Sequence, residues 1–445
     1  MTETFDLVIK GGTLVNHDGM GQADIGVRGG RIAEIGTIAP QSAGEVIDAA
    51  GLHVLPGVID SQVHFREPGA EHKEDLASGS RAAIMGGVTS VFEMPNTKPS
   101  TTSAEALNDK IARAHGRMHC DFAFYIGATR ENVEELAHLE RLPGAAGVKV
   151  FIGSSTGDLL VDDEDTLARI LAVIQRRAAF HSESEQRLRA RESIRREGDP
   201  SSHSEWRDEE AALSATKSLL RLATAAGKRV HVLHVSTAAE MELLAQHKDV
   251  ASVEVTPQHL TLIAAEAYRR LGTRAQMNPP LRDSSHQEGL WWGIAQGVVD
   301  VLGSDHAPHT LEEKAQPYPA SPSGMPGVQT LVPVMLDHVN AGRLSLARLV
   351  DLTSTGPQRI FGIAGKGRIA VGYDADLTVV DMQAERTIED EWIASKCGWT
   401  PFAGRKVKGW PVGTILRGQF AMWEGELNEA RGRPIRFGEA LPKRY

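Results

Sequence analysis

Short apolar runs separated by glycine pairs open the chain. Leu7 to Val15, Ala23 to Arg28 and Arg31 to Ile35 read as strands, with Gly11-Gly12 and Gly29-Gly30 as turns between them. Comparable patterning returns only near the other end, at Ala375 to Val380 and Thr414 to Gly418, so the two termini are expected to pair into one small β-domain. Between them, strand-like runs alternate with segments of helical periodicity, the pattern of repeated βα units and a parallel barrel. Eight strands are predicted: Leu55 to Asp60, Thr89 to Met94, Asp121 to Ile126, Gly147 to Phe151, Arg177 to Phe180, Arg229 to Val235, Ser252 to Val255 and Val299 to Ser304. Helices are predicted at Glu74 to Met85, Ala104 to Ala114, Asp208 to Ala226, Ala238 to Gln246 and Ser285 to Gln296.

The expected architecture is therefore α/β, a TIM-type (β/α)8 barrel with a small β-sandwich domain formed from both chain termini. The barrel is assigned to residues 55–365, and the β-domain to residues 1–54 and 366–445. A chain of 445 residues accommodates both parts.

Composition narrows the functional classes. A formal charge of −10 disfavours a surface that neutralises nucleic-acid phosphates. No apolar run approaches the roughly 20 residues of a membrane span, and Met1 to Asp6 lacks a secretory signature, so a cytoplasmic protein is expected. Cys120 and Cys397 are far apart and fit neither a disulfide framework nor a thiolate-ligated metal.

Ligand-type residues gather at the ends of the predicted strands: Gln62 and His64, Asn96, Lys149, His181, His234 and Asp305. In a closed parallel barrel those ends share one rim, where active sites of this fold lie. Any one histidine or lysine is more often structural than functional. His231, inside a strand, is read as packing or as a support behind the ligands, and His53, His72, His115, His119, His138, His203, His247, His286 and His338 as surface or structural. Joint placement sets the chosen residues apart. Imidazole and carboxylate without thiolate suit zinc in an open catalytic site. Lys149, in Gly147-Val148-Lys149-Val150-Phe151, becomes a ligand if burial lowers its pKa and carbon dioxide converts it to a bridging carbamate.

Four stretches carry a family resemblance. Residues 56–69, PGVIDSQVHFREPG, together with Met94-Pro95-Asn96-Thr97, Met277 to Arg282 and Gly303 to His309, resemble dihydroorotases of the amidohydrolase superfamily. The resemblance implies two zinc ions, with His64 and Asp305 at the more buried one, His181 and His234 at the second, and carbamylated Lys149 bridging them. It implies substrate contacts from Arg66, Asn96, Asn278 and His309, with Ser323 and Gly324 in a loop over the ring, and Asp305 as the catalytic acid and base. It further implies a small anionic cyclic-amide substrate, hydrolysed reversibly in pyrimidine synthesis, and by analogy a homo-oligomer and association with another pyrimidine enzyme. One position departs from the pattern: Gln62 stands where the family has a histidine, so its amide oxygen is the weak member of the expected metal set. Two alternatives accompany this reading. One is a hydantoinase or allantoinase, against which Arg66 speaks; the other is an inactive scaffold subunit, for which Gln62 is the sole support.

Overall fold

A computed structural model describes residues 5–39, 43–154, 159–429 and 431–438. Residues 1–4 and 439–445, at the outer ends of the expected β-domain, lie outside the described residues. Eight strands form one parallel sheet in chain order: β1 Val58–Val63, β2 Val88–Glu93, β3 Asp121–Gly127, β4 Ala145–Phe151, β5 Ala178–His181, β6 Val230–Val232, β7 Ala251–Val255 and β8 Val301–Leu302. The cylinder closes where Val63 pairs in parallel with His306, just beyond β8. Among the described residues, no helix is long and apolar enough to cross a membrane.

Helices lie outside the strands because their apolar faces find the outward-pointing residues. Leu107, Leu167, Ile170, Leu219 and Met241 pack with Phe122, Val148, Phe180 and Val232 in the main core. Inward-facing Ile59, Phe92, Tyr125, Ala146 and Ala179 fill the lower interior. Polar caps stop the helices where the sequence marks them: Asp75, Ser103, Asp208, Thr237 and Asp283 each accept backbone N–H groups from the first turn.

One strand boundary differs from expectation. Leu55 does not begin the first barrel strand; His53–Pro56 is a separate strand that pairs with Leu377–Thr387. Gly57 separates the two strands, and Thr89 and Asp376 lie too close there to admit a Cβ. The apolar run is thus shared between two sheets, which periodicity alone does not divide. Strands β6 and β8 are also shorter than predicted at both ends, although Leu233, Val235 and Gly303 still donate their N–H groups to the Phe180, Glu254 and Val255 carbonyls.

The termini build two sheets. One is N-terminal, in the order 31–36, 24–28, 5–10, 43–48; the other is mixed, in the order 426–427, 419–423, 406–416, 377–387, 53–56, 13–16, 19–22. Leu7, Ile9, Ile25, Val54, Leu377, Val379 and Ile415 form the core between them. This sandwich is bolted to the barrel by buried charge. Lys366 donates to Asp121 at the start of β3 (2.6 Å) and to Asp376, while Arg417 donates to Asp121 (2.6 Å). Burial opposes ionisation of Lys366, yet Asp121 and Asp376 hold its ammonium above the usual value.

Removing one member of such a buried network leaves the others unpaired. Lys366→Met is expected to lower stability by roughly 3–5 kcal/mol, measured as a lower urea midpoint. An unchanged midpoint would show that the network does not tie sandwich to barrel.

Candidate active site

Because all eight strands run the same way, the expected site residues arrive at one end. Pairing of Phe151 with His181 and of Phe180 with Val232 sets the heights of β4, β5 and β6. His64 donates its backbone N–H to the His306 carbonyl (2.7 Å), which seats it beside Asp305. Lys149 reaches the interior through a local irregularity. The ladder shifts register between β3 and β4 at Ala145 and Gly147, and Gly147 has φ +134°. Ala146 faces inward before the bulge, whereas Val148 and Val150 face the helices after it. The extra residue thereby turns Lys149 inward.

Backbone strain is concentrated at this rim. Five described non-glycine residues have positive φ, and three of them are Arg66 (65°), His234 (36°) and Asp305 (44°). Such conformations persist where surrounding contacts hold them, and they cluster at functional positions.

Two pairs of electron-rich atoms converge inside the rim. His64 Nδ1 lies 2.8 Å from Asn96 Oδ1; that oxygen can only accept, so Nδ1 carries the proton. The His64 Nε2 lone pair then faces Asp305 Oδ1 at 3.2 Å. His181 Nδ1 and His234 Nε2 approach to 3.1 Å. His181 Nε2 lies 3.0 Å from Glu183, whose carboxylate is gripped in turn by Arg207 (2.5 Å). Despite burial, Arg207 and His181 hold Glu183 well below the usual carboxylate range. A carboxylate behind an imidazole orients it and raises its ligand strength.

Lys149 Nζ, Gln62 Oε1 and His234 Nδ1 are buried without hydrogen-bond partners. Burial lowers the Lys149 pKa to about 7, against the pull of Asp305 and Glu254. The same cause holds His64, His181 and His234 below the ordinary imidazole value, which keeps their lone pairs free. Orphaned donors, neutral imidazoles and facing lone pairs fit a divalent metal centre. Among the described residues, no three His, Cys, Asp or Glu side chains form such a centre by themselves. Each pair therefore needs completion by Gln62 or Lys149. Gln62 is the weaker of the two, because its Nε2 donates to Asp305 Oδ1 (3.0 Å) and so occupies the carboxylate that a metal would share.

The expected substrate residues stand around these pairs. Arg66 Nε donates to the Pro308 carbonyl (3.1 Å), and its Nη2 lies 3.2 Å from His309 Nε2. His309 Nε2 is in turn 3.0 Å from the Ser323 carbonyl. Gly324, at φ +133°, has the Ala307 carbonyl 2.5 Å and His309 Nε2 3.0 Å from where a Cβ would sit, so a side chain there would displace the loop. Asn278 lines a cavity of about 250 Å³ with Ser154, His203, Trp206, Arg207 and Ser323.

Sequence reasoning missed several members. His203, expected to be surface or structural, is buried with Nε2 2.9 Å from Asn278 Oδ1 and 3.2 Å from the Met277 carbonyl, beside an expected substrate residue. Both partners accept, so Nε2 carries the proton and the Asn278 oxygen is turned toward His203. The Asn278 NH2 group is then the part free to address a ligand. Burial, reinforced by Arg207, lowers the His203 pKa to about 3. Glu254 and Asp60, pushed up to about 8 and about 7 by burial, lie beneath the rim; Ser61 donates to Glu254 (2.7 Å), and the Ser304 N–H donates to Asp60 (3.0 Å). A lone carboxylate inside an apolar strand was the available signal. His231 meets expectation: it contacts Ser252 (2.9 Å) and packs on Phe361.

Comparison with known proteins gives the family. A dihydroorotase from Methanosarcina mazei is 37% identical over 444 residues, covering 96% of each chain. A dihydroorotase from Halobacterium salinarum is 39% identical over 422 residues, covering 93% of this chain and 96% of its own. An allantoinase from Rubrobacter xylanophilus is 36% identical over 437 residues, covering 95% of each chain. Among solved structures, the L-hydantoinase (dihydropyrimidinase) of Arthrobacter aurescens superposes with a TM-score of 0.92 at 31% identity, over 97% of this chain and all of its own. The amidohydrolase family profile matches residues 53–421, from the last N-terminal strand through the barrel and into the C-terminal sheet. With the rim geometry, these matches make the chain a member of the amidohydrolase family.

Proposed function

We propose that this amidohydrolase is a dihydroorotase, hydrolysing the ring amide of dihydroorotate to carbamoyl aspartate and reversing that step in pyrimidine synthesis. Arg66 carries the reading. Its guanidinium is buried at the rim, and among the described residues no carboxylate lies within ion-pair distance of it. Burial lowers its pKa to about 10, which leaves it charged at neutral pH. Asp305, Glu93, Glu313 and Glu74 act on it only through space, so a ligand carboxylate would be its direct partner and offset the cost of its burial. Dihydroorotate brings a carboxylate on its ring; an unsubstituted hydantoin does not. The hydantoinase and allantoinase readings share the metal chemistry but leave Arg66 unpaired.

Arg66 clamps that carboxylate through two parallel hydrogen bonds. Asn96 and the Asn278 NH2 group, oriented by His203, orient the ring oxygens. Gln62 and His64 both contact Oδ1 of Asp305; we assign proton transfer to Oδ2. Water adds across the ring C–N bond, its oxygen to the carbonyl carbon; Asp305 takes the proton and returns it to the departing ring nitrogen. Gln62, His64 and Asp305, together with His181, His234 and a carbamylated Lys149, would hold zinc. When bound, such ions supply Lewis acidity and lower the pKa of water.

Arg66→Met tests the substrate assignment. It is expected to reduce kcat/KM for dihydroorotate by roughly 2–5 kcal/mol of transition-state binding, with zinc content unchanged. Equal turnover by variant and parent would remove Arg66 from recognition and the name with it.

The metal assignment is tested by zinc stoichiometry after dialysis against a weak chelator. Gln62→His should raise retained zinc, since an imidazole replaces an amide that binds Asp305 instead. Lys149→Ala should retain less zinc than the parent. If Gln62→His gains nothing and Lys149→Ala loses nothing, neither residue completes the centre.

A further inference from the structure

At the opposite end of the barrel, six arginines surround one basin of about 700 Å³: Arg141, Arg176, Arg177, Arg229, Arg359 and Arg436. Their convergence follows from the fold. Arg177 immediately precedes β5 and Arg229 immediately precedes β6, and the register pairs Ala178 with Val230, so the two arginines enter adjacent strands side by side. Arg359 comes from the helix Gly356–Phe361. The returning C-terminal segment closes the basin: Ile435 donates its N–H to the Phe122 carbonyl (2.8 Å), and Ala364 donates to the Arg436 carbonyl (2.9 Å).

The charge here is incompletely matched. Arg359 meets Asp351 at 3.3 Å, and Glu140 lies near Arg176 but accepts backbone N–H groups of Gln175 (2.7 Å) and Arg176 (3.2 Å). Asp300 faces Arg177 but is held by Lys248 and by the Val253 N–H (2.9 Å). Among the described residues, Arg177 and Arg229 have no carboxylate within ion-pair distance. Arg176 packs its guanidinium over Phe437 at 4.3 Å, and its Nη2 is buried with no hydrogen-bond partner. Burial, and then the charges of Arg229 and Arg359, lower the Arg177 pKa to about 10. A solvated arginine surface would spread its like charges. This chain, at −10 overall, gathers them around a concavity of ligand size.

We propose that this basin is a second binding site, for a small anion carrying two or more linked phosphate groups. Guanidinium forks match phosphate oxygens two at a time. Adjacent parallel strands lie about 4.8 Å apart, so Arg177 and Arg229 can hold neighbouring phosphates, while Phe361 and Phe437 offer an apolar wall beside them. The site stands at the strand starts, away from the rim that holds Arg66 and Asp305, and does not depend on the substrate assigned to that rim.

Calorimetric titration of the full, metal-loaded chain with inorganic tripolyphosphate, pyrophosphate and orthophosphate at low salt tests the proposal. Tripolyphosphate should bind once per chain and about ten-fold or more tighter than orthophosphate. The double variant R177Q/R229Q should weaken that binding about ten-fold or more and leave turnover at the rim unchanged. A control pair on another face, R113Q/R169Q, should leave the affinity near the parent value. Tripolyphosphate should also raise the Tm of the parent and not of the double variant. Absence of binding at millimolar tripolyphosphate overturns the site. So does heat that survives undiminished in R177Q/R229Q, which assigns it to the metal centre, or an equal loss in the control pair, which reduces the effect to net charge.

Discussion

Closure of the barrel between its first and last strands is the contact on which the chemistry depends. Val63 pairs with His306, the His64 N–H reaches the His306 carbonyl, and the Ser304 N–H reaches Asp60. Those bonds place His64 and Gln62 from one end of the sheet against Asp305 from the other, 241 and 243 residues apart in sequence. An open sheet would leave His64 and Asp305 on opposite edges. The second pair, His181 and His234, needs only the adjacency of β5 and β6, so closure specifically assembles the half that contains Asp305, the proposed acid–base residue.

Burial then sets the chemistry of what closure collects. The same low-dielectric surroundings lower the basicity of Lys149, His64, His181 and His234, raise Asp60 and Glu254, and leave Arg66 charged with no carboxylate in contact among the described residues. Imidazoles stripped of protons and a lysine near neutrality are ligands in waiting. In the proposed function, the Arg66 guanidinium among them is the partner of an anionic substrate. Gln62 is the local exception, since it offers Asp305 an amide hydrogen bond in place of a shared metal. The orientation of Asn278 by His203 shows the same economy, with one buried imidazole proton deciding which face of the amide turns away from His203.

Much of this was legible in the chain. Ligand-type residues at successive strand ends identified the rim, because a parallel barrel converts positions scattered over some 240 residues into one ring. Other features were not legible, for definite reasons. Alternation counted from Ala146 sends Lys149 outward, and only the bulge at Gly147 reverses it. The apolar run at Leu55 belongs to the terminal sheet because Gly57 breaks it, and composition does not register that break. His203 sits in the five-residue helix Ser202–Trp206, too short to show a periodicity, so nothing in the sequence aimed it at Asn278. The arginines of the barrel floor are dispersed from Arg141 to Arg436 and meet only through strand register and the returning C-terminal segment.

The account turns on Arg66 as the demand for a carboxylate. Its most direct test is the ratio of kcat/KM for dihydroorotate to that for dihydrouracil, the same ring without the carboxylate, measured on one zinc-loaded preparation. The account predicts that dihydroorotate is preferred by roughly 2–5 kcal/mol. Equal turnover of the two rings, or faster opening of dihydrouracil, would contradict it and assign the site to a neutral cyclic amide.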